Sequence, residues 1–148
     1  MQLRHNRNME WISRSPDETQ EKGRQLLAQF PEVRFICLQG PLGSGKTCFT
    51  KGIGESLEIE SKKIKSPTFT TLFEHQGLKK LIHCDFYRQE EVGAFCRDWW
   101  QELLEDDNAI IVVEWPEKIQ PHLPKKRLEI EFYALGENDR KLDIRLFQ

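Results

Sequence analysis

A chain of 148 residues is the size of one domain and can bury roughly 70% of its unfolded surface. Its 22 basic and 24 acidic residues leave a net charge of -2, which excludes a global field drawing it to nucleic acid or anionic lipid. No run approaches the ~20 apolar residues of a membrane span, and MQLRHNRNMEW has no apolar stretch of signal-peptide length, so a cytoplasmic protein is expected. Cys37, Cys48, Cys84 and Cys96 form no C-x-x-C pair, which fits reduced, mostly buried thiols rather than zinc or disulfides.

Residues 1–8 are expected to be a disordered leader to a single domain spanning 1–148, with Met9 as an alternative start. In Ser15-Pro16-Asp17-Glu18 an N-cap hydroxyl, a first-turn proline and an acid three residues on mark a helix start. That helix should run to about Phe30 and bury Leu26, Leu27 and Phe30. A strand over residues 34–39 leads into GPLGSGKT at 40–47, and a helix should continue from Lys46 to about Leu57.

The loop fits G-x-x-x-x-G-K-[ST], with Gly40, Gly45, Lys46 and Thr47 in the required places. Glycines there let successive backbone N–H groups point inward as an anion nest, and the helix start adds its positive dipole end. The expected nucleotide contacts are Gly40, Gly43, Ser44, Gly45, Lys46, Thr47 and Cys48. Lys46 would reach the β and γ phosphates, and the Thr47 hydroxyl would sit on Mg²⁺.

Further along, residues 70–74 and 80–86 read as strands joined across Gln76-Gly77, a link short enough to require antiparallel pairing. Apolar residues recur at helical spacing over 89–105, with Trp99 and Trp100 as one core and one half-exposed aromatic. AIIVV at 109–113 is a buried strand ending in Glu114, a carboxylate placed to hold Mg²⁺. The chain closes with LEIEFYA and KLDIRLF as a hairpin. Strands alternating with helices predict an α/β fold of the P-loop NTPase kind: a mixed, mostly parallel sheet flanked by helices, with antiparallel additions. The basic clusters Lys62-Lys63 with Lys65, and Lys125-Lys126-Arg127, read as solvated loop charges. No N-K-x-D guanine-reading motif is present, so ATP is expected rather than GTP.

Two stretches remain: KSPTFT at 65–70, where Thr68 would lie near a γ-phosphate, and HCDFYR at 83–88, which ends a strand on Asp85. In order, GPLGSGKT, KSPTFT, HCDFYR and VEWPE resemble the signature set of the TsaE (YjeE) family of bacterial tRNA threonylcarbamoyladenosine formation, over nearly the whole chain. The resemblance implies an ATP-hydrolysing subunit that supports a two-subunit threonylcarbamoyl-transfer complex of the TsaD and TsaB type, without making the bond itself. Modification would fall on adenosine 37 of tRNAs reading A-starting codons, with the tRNA contacted through that complex. Carried over, Lys46 contacts phosphates, Thr47 and Glu114 match the Mg²⁺ positions, and Asp85 matches the acid needed for hydrolysis. Trp115 follows Glu114 as in the family motif, and Glu18 matches a position at the nucleotide's edge. Pro41, Phe86 in place of leucine, and the RDWW segment depart from the family pattern.

Two other readings compete. A small-molecule kinase would need an arginine-rich lid, and residues 78–97 offer only Arg88 and Arg97. A non-catalytic ATP-dependent switch would not need Asp85 and Glu114.

Overall fold

The structure, a computed structural model, describes residues 8–65, 72–87 and 97–148. Helix α1 (Pro16–Gln29) begins where its signal lies: the Ser15 hydroxyl accepts the Glu18 N–H, and the Glu18 carboxylate turns back onto the Arg14 N–H. It ends at Phe30, whose side chain closes the core beneath it. Strand β2 (Phe35–Gln39) is buried on both faces over its first four residues, as a central strand must be. Helix α2 (Lys46–Ser56) follows the glycine loop.

Strands β3 (Leu72–His75) and β4 (Lys80–Asp85) pair antiparallel across their short link. Helix α3 (Arg97–Glu105) precedes β5 (Ala109–Glu114), and β6 (Arg127–Ala134) with β7 (Arg140–Phe147) forms the closing hairpin. Among the described residues these strands make one seven-stranded sheet ordered β1-β7-β6-β2-β5-β4-β3, with β1 spanning Asn8–Ser13. Its centre, β6-β2-β5-β4, is parallel, and antiparallel strands close both edges.

Period-two alternation sorts the core into two layers. Ile36, Leu38, Ile110, Val112 and Leu81 face α1 and α2 with Phe49 and Ile53, while Phe35, Cys37, Ile111, Val113 and Ile82 face α3 around Trp100. Trp100 is the core aromatic, with its indole N–H on the His122 carbonyl, and Trp99 is half-buried against the same layer. Helices α1 and α2 cross at Gly23 and Gly52, where a Cβ on Gly52 would stand 1.9 Å from the Gln20 carbonyl oxygen. Only hydrogen at both positions lets the backbones approach this closely.

Strand β1 has no counterpart in the sequence expectations. Its inward residues are Trp11 and Ser13 while Ile12 is exposed, so the apolar alternation that marks a strand is missing. Pairing with β7 defines it instead, and it starts at Asn8, inside the stretch read as leader. Residues 1–7, the expected helix over 89–96 with Val92 and Cys96, and the expected strand residues 70–71 lie outside the described residues. No helix among the described residues is long and apolar enough to cross a membrane.

Candidate functional site

The parallel centre places the carboxyl ends of β2, β5 and β4 side by side, and the chemistry collects there. Loop 40–45 leaves β2, while Glu114 ends β5 and Asp85 ends β4, in register with each other. The loop turns through Gly40, Gly43 and Gly45 at φ of 148°, 76° and 106°. At Gly45 this is the N-cap of α2, a left-handed conformation that β-carbon sterics disfavour in other residues. Ser44 donates its N–H to the Pro41 carbonyl, and its hydroxyl is buried with no hydrogen-bond partner among the described residues.

Lys46 leads α2 and is only 5% exposed. Its Nζ donates to the Gly40 carbonyl at 2.6 Å, lies 4.5 Å from the centre of the Trp115 ring, and stands 4.0 Å from Glu114 Oε1. Burial pushes its ammonium below the ordinary lysine range, and the Glu114 and Asp85 carboxylates oppose that fall. Trp115 reaches Lys46 because its own backbone is left-handed, at φ 57° and ψ 51°, turning the chain sharply after β5. A bulky residue held there stores strain of about 1–3 kcal/mol, a cost found most often at functional positions. The Tyr87 ring flanks Trp115 at 4.8 Å.

Glu114 is buried beside Lys46, and its other oxygen, Oε2, meets His83 Nε2 at 2.5 Å. Asp85 is half-buried and accepts the Tyr87 N–H at 2.8 Å. Burial pushes its carboxyl above the ordinary aspartate range; the Tyr87 N–H opposes this and Glu114 reinforces it. Thr47 and Cys48 are partly exposed in the first turn of α2. Beside them lies a hollow of about 100 Å³ between the loop, the start of α1 and the β6–β7 turn, lined by Pro16, Thr19, Gly43, Cys48, Asn138 and Arg140 among others.

Most of the expected site residues therefore converge: Gly40, Gly43, Ser44, Gly45, Lys46, Thr47 and Cys48 on the loop and helix, Asp85, Glu114 and Trp115 beside them. Glu18 does not line that hollow. Its carboxylate serves the α1 cap, beside a separate depression with Ile12, Arg14 and Lys22. Thr68 and Arg88 lie outside the described residues.

Two residues in the site had no assigned role from sequence. His83 was legible in principle, since it stands two residues before Asp85 on the same strand face. Arg140 was not, because its partners in the loop are about a hundred residues away. Its guanidinium donates to the Ser44 carbonyl at 3.1 Å and the Gly43 carbonyl at 3.2 Å, and also to Gly136, Glu137 and Asp139 carbonyls of the hairpin turn.

The arrangement is a glycine loop opening a helix N-terminus, a buried ammonium and two carboxylates, a set whose chemistry suits a polyphosphate and a hard cation. Comparison with known proteins identifies the family over nearly the whole chain. The family model described as "Threonylcarbamoyl adenosine biosynthesis protein TsaE" matches residues 13–142. A curated protein of Treponema pallidum named tRNA threonylcarbamoyladenosine biosynthesis protein TsaE is 33% identical over 136 residues, covering 92% of this chain and 99% of its own. A Synechocystis protein of the same name is 38% identical over 124 residues, covering 80% and 76%. The crystal structure of YdiB from Bacillus subtilis superposes with a TM-score of 0.74 at 28% identity, over 99% of this chain and 90% of that one. With the family pattern running from β1 into β7 and the fold matching over nearly its whole length, this chain belongs to the TsaE family.

Proposed function

We propose that this chain binds and hydrolyses ATP with Mg²⁺, as a subunit required for threonylcarbamoyladenosine formation on tRNA. The observation that carries the reading is Lys46, an ammonium 5% exposed at the head of a glycine loop, with Glu114 at 4.0 Å and Asp85 in register beside it. A buried cation against one carboxylate and an aromatic face is a poor stabilising device, because desolvation opposes the pairing. It is a good receptor for phosphate oxygens.

The loop amides and the α2 N-terminus hold the phosphate chain, and Lys46 moves its charge from the Gly40 carbonyl to the phosphate oxygens. Thr47 and Glu114 are the residues that would hold Mg²⁺, as the hard oxygen donors it prefers. Held there, Mg²⁺ would supply positive charge against the phosphates. Asp85, with its carboxyl raised above the ordinary aspartate range by burial, orients water and accepts its proton. The hollow beside Thr19 and Cys48 takes the nucleoside end. Hydrolysis here serves a cycle of docking on the two-subunit threonylcarbamoyl-transfer complex, TsaD and TsaB in type, which also contacts the tRNA; the setting is the cytoplasm.

The test combines the protein, that complex and tRNA, and follows phosphate release and modified adenosine over several turnovers. Both rates should exceed those of the separated components. Equal rates would remove the coupling, and absence of ATP binding would remove the reading as a whole.

A further inference from the structure

His83 sits within β4 at a place where a leucine would extend the core. Leu81, two residues earlier on the same face, is fully buried in the layer against α1 and α2. The imidazole is also fully buried, and its Nε2 lies 2.5 Å from Glu114 Oε2. Val112 is its register partner, so Glu114 is the diagonal neighbour on the same face of β5. Among the described residues Nδ1 has no hydrogen-bond partner.

These facts assign the ring's proton. A carboxylate only accepts, so Nε2 carries the hydrogen and donates to Oε2. In the neutral ring Nδ1 is then a bare acceptor, which is a less costly orphan than a buried N–H. The ring thus makes one directed bond, and that bond ends on Glu114. A glutamate carboxyl otherwise turns broadly about its last torsion. Tying Oε2 to the ring leaves Oε1 on the side of Lys46, 4.0 Å from its Nζ.

Resting on the Mg²⁺–ATP reading above, we infer that His83 is the positioning residue for Glu114: its Nε2–H holds one carboxylate oxygen so that the other faces the cation site beside Thr47. Outer partners of metal-binding carboxylates set their orientation in this way, and losing one costs about 10–100-fold in metal affinity.

The experiment is calorimetric titration of ATP at a series of Mg²⁺ concentrations and in EDTA, with the full chain and with His83→Leu and His83→Gln. In His83→Leu the Mg²⁺ needed for half-maximal ATP binding should rise about 10–100-fold, while metal-free ATP affinity stays unchanged. His83→Gln, which carries an N–H at a similar reach, should recover most of the difference. Nitrogen-15 spectra of the ring should show a proton on Nε2, with a signal that moves in Glu114→Gln. Unchanged Mg²⁺ dependence in His83→Leu, equal loss with and without Mg²⁺, or a ring signal indifferent to Glu114→Gln would each overturn the inference alone. If the unaltered chain binds no Mg²⁺–ATP, the nucleotide reading falls and this inference falls with it.

Discussion

Lys46 illustrates how a single side chain can oppose stability and serve binding. Its lowered ammonium means the charged form is worse off in the fold than in the unfolded chain. Lys46→Met keeps the stem's packing and removes that cost, so the variant should melt no lower than the parent at neutral pH. The sign follows from linkage: the unfolded chain binds the proton more readily, so any advantage of Met shrinks as pH rises through the folded lysine value. ATP affinity should nevertheless fall about ten- to a hundredfold, from losing a charge-assisted bond worth about 1.5–3 kcal/mol. Melting curves and calorimetry on one sample check both halves. Asp85 makes the complementary case. Its raised carboxyl must be ionised to accept a proton, so the acid limb of the rate profile should lie above the ordinary aspartate range. Asp85→Asn should retain ATP affinity and lose about 10²–10⁴-fold in hydrolysis. Normal hydrolysis in that variant would reduce Asp85 to a turn residue bonded to Tyr87.

Helix α2 carries the loop's working end, and two contacts set where it lies. One is the crossing with α1, where a methyl on Gly52 would meet the Gln20 carbonyl oxygen at 1.9 Å. Backbone cannot yield as a side chain does, so Gly52→Ala should destabilise by about 1–3 kcal/mol, read as a lowered melting temperature. Gly136→Ala, where a β-carbon meets nothing within 4 Å, is the control and should leave it nearly unchanged. The other contact is Arg140, which joins the β6–β7 turn to the Gly43 and Ser44 carbonyls. These two bonds tie the loop to the hairpin turn and limit how far residues 43–44 can shift. Arg140→Gln should weaken ATP binding by roughly tenfold, the scale of one charged hydrogen bond, with the hairpin intact by amide spectra. The glycine pattern announced the loop, but neither contact was visible in it, because both partners come from elements distant in sequence.

At the scale of the whole molecule the question is how fast this domain works unaided. Arg140 is the arginine that reaches the loop among the described residues, and its guanidinium is engaged by five backbone carbonyls. It is therefore a structural clamp and not a charge free to meet the transferring phosphoryl group. An arginine supplied for that purpose is typically worth ~10³–10⁵ in rate, so the isolated protein should turn ATP over slowly and accelerate on docking to the transfer complex. Phosphate release measured with and without the complex checks this; a fast isolated enzyme would show that no outside group is needed. The residues themselves determined the local chemistry: the glycine loop, the Ser15 cap, the buried strand ending in Glu114 and the closing hairpin all follow from short-range patterns whose physics is local. Tertiary structure alone decided the rest. Strand β1 exists because β7 offers an edge, not because NMEWIS alternates. Arg140 reaches the Gly43 and Ser44 carbonyls only because the β6–β7 turn packs beside the loop. His83 met Glu114 only because β4 and β5 lie parallel and in register, and pairing between distant strands is set by the packing of the whole sheet.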